Sequence, residues 1–293
     1  MINYSIKDLE SISGIKAHTL RIWEVRYELF KPHRTDTNIR LYSNDDIRKL
    51  LNIALLNNHG LKISKIATLS NSEISTKALE ILSTEDTFQS QINSLTMAMV
   101  EIDEDRFESV VSNSILKFGL EDTITQIIYP FLVKVGVLWR TESINPGQEH
   151  FITNLIRQKL IAAIDAQVMQ ITDDSKKFLL YLPENELHEI SILFYNYLIR
   201  KNKYKTIYLG QSVPFEDVVK ICDSMQPTHV ITVLTAGIRS KKVLEYIEQL
   251  SKKCNKQKIL LSGYQVFETA NIKFENVHVF KNKEDLSSLI FNH

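Results

Sequence analysis

The chain has 293 residues, with 44% apolar and 24% charged side chains and only 8 Gly and 6 Pro, which excludes a disordered or collagen-like polymer and leaves room for more than one domain. Its 35 Lys and Arg balance 35 Asp and Glu, so whole-chain charge argues neither for nor against a nucleic-acid partner. Two cysteines, Cys222 and Cys254, match no CxxC or metal-finger spacing, exclude a disulfide framework and are expected to be isolated reduced thiols; with no signal-like N-terminus and no apolar run long enough to span a membrane, a cytoplasmic protein is expected.

The period of the apolar residues changes twice along the chain, predicting a multidomain α and α/β protein. Residues 1–75 read as a winged helix-turn-helix, 76–173 as a four-helix bundle, and 174–293 as a Rossmann-like, doubly wound parallel sheet.

In the first segment, helical patterns cover Ser5–Ser13 and Ala17–Tyr27, with Ser13-Gly14 as the turn between them and Ile6, Leu9, Ile12, Ile15, Leu20 and Ile22 as the inward stripe. Lys16, His18, Thr19, Arg21 and Arg26 then fall on the outward face of the second helix and its entrance, where they can meet bases or phosphates. The basic stretch Lys31–Tyr42 is short enough for a two-stranded wing that tracks the phosphate backbone through Arg34, Arg40 and Tyr42. Ser43, followed by Asp45 and Asp46, opens the next helix as an N-cap with acids at the positive end of the dipole. Eleven Lys and Arg against eight Asp and Glu leave residues 1–75 with an excess of three positive charges, in the segment that needs it. The run YSIKDLESISGIKAHTLRIWEVRYELFKPHRTDTNIRLYSNDDI resembles the N-terminus of MerR-family transcriptional regulators. It carries Thr-Leu-Arg as Thr19-Leu20-Arg21, the wing Arg-x-Tyr as Arg40-Leu41-Tyr42, and the following Ser-x-x-Asp as Ser43–Asp46. That resemblance implies a double-stranded DNA partner.

The second segment has helical period throughout, with helices expected near 74–82, 87–101, 103–118, 120–140 and 147–171. Tyr129, Phe131, Trp139 and Phe151 are core residues by default. Glu149-His150, however, opens a helix after Asn145-Pro146-Gly147 and follows Trp139 at a spacing Trp-x9-Glu-His, so a ring, a carboxylate and an imidazole can converge on one surface.

From residue 176 the runs KFLLYL, KTIYLG, THVITVL, QKILLSG and VHVFK alternate with helical stretches at 187–202, 214–225, 239–253 and 284–291, the pattern of a parallel sheet covered on both faces. The first strand leads into Pro183–His188, at the crevice where such sheets bind ligands. His188 there is either a satisfied polar residue or a metal ligand oriented by Glu186. Glu186-Leu187-His188-Glu189-Ile190-Ser191, Thr232-Val233-Leu234 and Ser262-Gly263 resemble the Asp/Glu-x-His-x-x-Gly, Ser-x-Leu and Gly-Gly motifs of cobalamin-binding domains, with Ser191, Thr232 and Ser262 departing from the pattern.

A bundle with Trp-x9-Glu-His between such a head and such a sheet is similar to the light-sensing cobalamin repressors of the CarH/LitR type. The resemblance implies adenosylcobalamin as cofactor, His188 as the lower cobalt ligand, and Trp139 and Glu149, with His150 beside them, over the upper face. It also implies a homo-oligomer, dimer or tetramer, whose state sets operator affinity. Arg140 stands where photosensing members have a histidine, and an arginine cannot ligate cobalt. Two other readings stay open: a cofactor-independent regulator whose sheet domain is a relic or binds a protein, and a corrinoid methyl carrier or mutase subunit, for which an operator-binding head has no use.

Overall fold

A computed structural model of the chain describes residues 4–35, 37–84, 88–140, 143–167 and 176–291. It divides into two compact units, Met1–Ile156 and Arg157–His293.

The first unit opens with α1 (Ile6–Ser13), started by a reciprocal capping box in which Ser5 and Asp8 satisfy each other's backbone amides and stopped by Gly14 at φ 76°. The turn leads into α2 (Ala17–Tyr27), then a two-stranded antiparallel wing, β1 (His33–Arg34) and β2 (Arg40–Leu41). A second capping box, Ser43 with Asp46, starts α3 (Asn44–Asn58), the apolar centre of the unit, where Ile47, Leu50, Ile53 and Leu56 are completely buried. After α4 (Ile63–Ile66) and α5 (Asn71–Thr84) come α6 (Phe88–Glu101), α7 (Glu104–Asp122), a π-helical stretch Thr123–Ile128, α8 (Tyr129–Arg140) and α9 (Pro146–Asp165). The break expected between 118 and 120 is Gly119, whose φ of 79° interrupts the helix. The last helix is shorter than predicted, and its expected end at 168–171 lies outside the described residues.

Head and bundle pack on each other within this unit. Helix α3 lies against α1, α5 and α6, Ser143 donates to Asp8 at 2.7 Å, and the buried Gln148 amide donates to the Val100 carbonyl at 2.9 Å. Head and bundle thus form one compact unit, whose limit lies within α9.

The second unit is a five-stranded parallel sheet in the order β4-β3-β5-β6-β7, with β3 at Lys177–Pro183, α10 at Ile190–Lys201, β4 at Lys205–Val213, α11 at Phe215–Met225 and β5 at His229–Val233. A 3-10 turn Ser240–Lys242 leads into α12 (Val243–Lys253), followed by β6 (Lys258–Ser262), α13 (Tyr264–Phe267), β7 (Val277–Val279) and α14 (Lys283–Phe291). Strand alternation divides the core in two. Leu179, Tyr181, Val230, Ile259 and Leu261 face α11 and α12, whereas Phe178 and His229 belong to the opposite face and stack at 4.6 Å. The cysteines, expected to be isolated, meet: both are buried in the α11/α12 core, with their sulfurs 3.4 Å apart. Their separation of 32 residues in sequence is closed by the parallel crossover, which a spacing rule does not see. Among the described residues no helix is long and apolar enough to cross a membrane.

Candidate DNA-binding face and corrinoid site

The outward face of α2 is built by what lies beneath it. Leu20 and Trp23 are buried at 1% and 6% exposure, and Glu10 from α1 accepts the Ala17 amide at 3.0 Å, capping the helix from its neighbour. His18, Arg21 and Arg26 are exposed, Thr19 is half-buried with its hydroxyl 3.3 Å from His18 Nε2, and Lys16 at the entrance is exposed and reaches Glu10. Ile22, placed by its hydrophobicity in the inward stripe, is instead 52% exposed; Trp23 occupies that inward position. The wing splits the remaining residues. Arg34 is exposed and bonded to Asn38 across the turn at 2.7 Å.

Arg40 and Tyr42 do not face outward as expected. Arg40 Nε donates to both oxygens of Glu24 at 2.9 and 3.2 Å, and the Tyr42 hydroxyl donates to the same carboxylate at 2.9 Å. Tyr42 is 1% exposed, and its backbone pairs with Tyr4. Burial first, and then the hydrogen bond to the Glu24 carboxylate, push its phenol well above the usual range. These two residues fix the wing to the recognition helix. The organiser, Glu24, was missed as a site residue because a lone acid beside a basic face reads as a solvated charge.

On the bundle, Asn145 and Gln148 cap α9 reciprocally, which holds the next two residues at the first turn. Glu149 accepts from His150 Nδ1 at 2.8 Å, with the imidazole largely exposed. Trp139, core by default, is 47% exposed at the end of α8, and Arg140 is exposed beside it.

In the second unit the crest of the sheet is organised by Glu186. One carboxylate oxygen accepts the amides of Thr235, Ala236 and Gly237 at 2.8, 2.7 and 2.9 Å, while the other accepts from the amide and Nδ1 of His188 at 3.1 and 2.5 Å. Burial alone would raise the Glu186 pKa, but these hydrogen bonds together overcome it and push it down to about 2. Nδ1 lies against the carboxylate, which leaves Nε2 as the nitrogen turned away from it, and the side chain is 62% exposed before α10. A tetrapyrrole-like chelate needs one axial imidazole rather than a cluster, and among the described residues no group of three or more His, Cys, Asp or Glu gathers to hold a bare ion. The Glu186–His188 pair offers one oriented imidazole, the kind of donor that a corrinoid's cobalt would take.

The rest of the predicted cofactor set is divided. Ser191 is half-buried at the start of α10. Thr232 is completely buried within β5, with its hydroxyl unpartnered; two residues from Val230, it shares the α11/α12 face. Leu234 is buried at the strand's end. Ser262 is buried, and Gly263 at φ 106° brings β6 so close that a Cβ would lie 2.5 Å from the Leu234 carbonyl oxygen. Gly237, absent from the sequence reading, is equally constrained: a Cβ there would lie 2.7 Å from the Glu186 backbone.

Residues 4–73 match the family of MerR HTH regulatory proteins, and residues 91–163, the bundle, match a B12 binding domain. The chain joins a MerR head to a B12 binding domain. It is 23% identical to the HTH-type transcriptional repressor CarH of Myxococcus xanthus, over 98% of this chain and 97% of that one. It is 22% identical to CarA of the same organism, over 88% and 85%. The MerR head alone is similar to the HTH-type transcriptional regulator MlrA of Escherichia coli, at 36% identity over 25% of this chain and 30% of that one. Among solved structures, the monomethylamine corrinoid protein of Methanosarcina barkeri superposes with a TM-score of 0.56 at 15% identity, over 69% of this chain and 98% of that one, a likeness of fold.

Proposed function

We propose that this protein is a transcriptional repressor of the cytoplasm that binds double-stranded operator DNA through its MerR head and takes adenosylcobalamin as its effector. The observation that carries the reading is the recognition helix itself: His18, Arg21 and Arg26 stand exposed on α2 while Glu24 ties that helix to the wing. Arg34 extends the basic face onto the wing tip, where a phosphate contact needs no base specificity.

With cobalamin bound, His188, held by Glu186, would supply the imidazole ligand to cobalt, and Trp139 and Glu149, with His150, would cover the adenosyl group. When bound, the cofactor supplies a light-labile carbon–cobalt bond. Glu186 fixes the imidazole tautomer and orientation, as carboxylates do for ligating histidines. The DNA-bound form is a dimer or tetramer, because one head makes few phosphate contacts and linked heads turn later contacts into intramolecular ones.

The half-buried Ser191 and the buried Ser262, which stand where cobalamin-binding domains carry glycines, favour a second reading, a MerR regulator that works without the cofactor. One experiment divides them. Protein mixed with adenosylcobalamin in the dark and desalted should keep the cofactor's absorption and a larger mass, lose both mass and operator binding on illumination, and retain far less colour as His188→Ala. A colourless wild-type protein that still binds a duplex leaves the cofactor-independent reading standing.

A further inference from the structure

We infer that Ile22 and Val25 read the 5-methyl groups of thymines in the operator's major groove, so that the recognition helix selects T-containing steps by apolar contact. The inference rests on the DNA-binding reading above and deepens it. Positions 18, 21, 22, 25 and 26 recur at i, i+3, i+4, i+7 and i+8 and form one face of α2. All are exposed, and two are aliphatic: Ile22 at 52% and Val25 at 76%. The opposite face is already filled by Leu20 and Trp23, so neither aliphatic belongs to this unit's core. Val25 lies on the same line of the helix as His18, near the middle of the outward face, with Arg21 and Arg26 to either side.

The chemistry of the surroundings decides what would cover them. A two-fold contact with the same face of a second copy would set Arg21 and Arg26 against like charges. A nucleic-acid duplex is the complementary partner for those cations, and the aliphatic feature on its major-groove edge is the thymine methyl. The two arginines supply attraction and the capacity to contact phosphate or guanine, while Ile22 and Val25 have no hydrogen bond to give and can discriminate only by shape and dehydration. Burying one methyl is worth about a fourfold change in affinity.

The test uses full-length protein and a duplex enriched from a randomised library at low ionic strength. Each thymine of that duplex is replaced singly by uracil, which removes the methyl and leaves base pairing intact. Wild type should lose about fourfold in affinity at one or more positions, and Ile22→Ala or Val25→Ala should bind the parent duplex more weakly while becoming indifferent to uracil at its own position. Arg21→Ala should weaken binding yet stay sensitive to uracil, and Leu116→Ala, which removes an aliphatic 85% exposed on the bundle, should behave as wild type. Uracil without effect anywhere, or an effect that survives in both aliphatic variants, overturns the inference while leaving DNA binding intact. Failure to enrich any duplex overturns the DNA-binding reading together with it.

Discussion

Glu24 and Arg40 join the recognition helix to the wing, the guanidinium Nε lying 2.9 Å from one carboxylate oxygen and 3.2 Å from the other, with Tyr42 completing the cluster from a fully buried position. The two elements that would grip a duplex are thus one preorganised body, and the ordering cost is met when the head folds rather than when it binds. Glu24→Gln keeps the shape and removes the charge from both contacts. Charge-assisted hydrogen bonds at a partly buried site are worth about 1–3 kcal/mol. The substitution should lower the thermal midpoint and weaken duplex binding further than the stability loss accounts for; an unchanged affinity would show that the wing needs no such brace.

Gly263 makes the clearest steric prediction. Its φ of 106° and the 2.5 Å approach of a Cβ to Leu234 leave no room for a side chain. Gly263→Ala should cost about 1–3 kcal/mol from the backbone conformation alone, with the collision added. A urea midpoint equal to wild type would contradict the close packing of β5 on β6.

His229 sets an acid limit for the second unit. Burial first, and then the charges of Lys258, Lys176 and His278, hold its pKa down to about 4, while in the unfolded chain it titrates near 6.5. Between those values the unfolded state takes up a proton that the folded state refuses. The stability present above pH 6.5 is therefore lost as pH falls toward 4. His229→Phe keeps a ring against Phe178 and should flatten the dependence of urea stability on pH in that window. An unaltered slope would assign the acid sensitivity elsewhere.

Lys134 works in the opposite part of the pH scale. Desolvation in the bundle lowers its pKa to about 8, against 10.5 for the free side chain, so the charged form is disfavoured in the folded state. The folded protein carries that penalty in full below pH 8 and loses it as pH rises through 10.5. Lys134→Met should raise the thermal midpoint at neutral pH, with the gain shrinking in alkali. A destabilised variant would mean that the ammonium has a partner in solution.

Local chemistry made much of this molecule legible from the chain alone. The N-cap at Ser43, the turn at Ser13-Gly14 and the break between the helices expected at 103–118 and 120–140 each follow from local side chains or their lack, and the exchange of a period near 3.6 for short β-branched runs marks the parallel sheet. The Thr-Leu-Arg and Glu-x-His motifs are legible in the chain for the same reason, since their members lie within one turn of each other.

Orientation was decided only by the tertiary structure. Hydrophobicity put Ile22 inside, but the helix phase set by Leu20 and Trp23 turned it out. Charge and hydroxyl put Arg40 and Tyr42 outside, but Glu24, two elements away, drew them in. Cys222 and Cys254 were brought together by the crossovers of a sheet whose neighbours are not neighbours in sequence. A residue's type and its near neighbours determine which element it joins. Which way it faces depends on contacts between elements, whose long-range geometry no local pattern encodes.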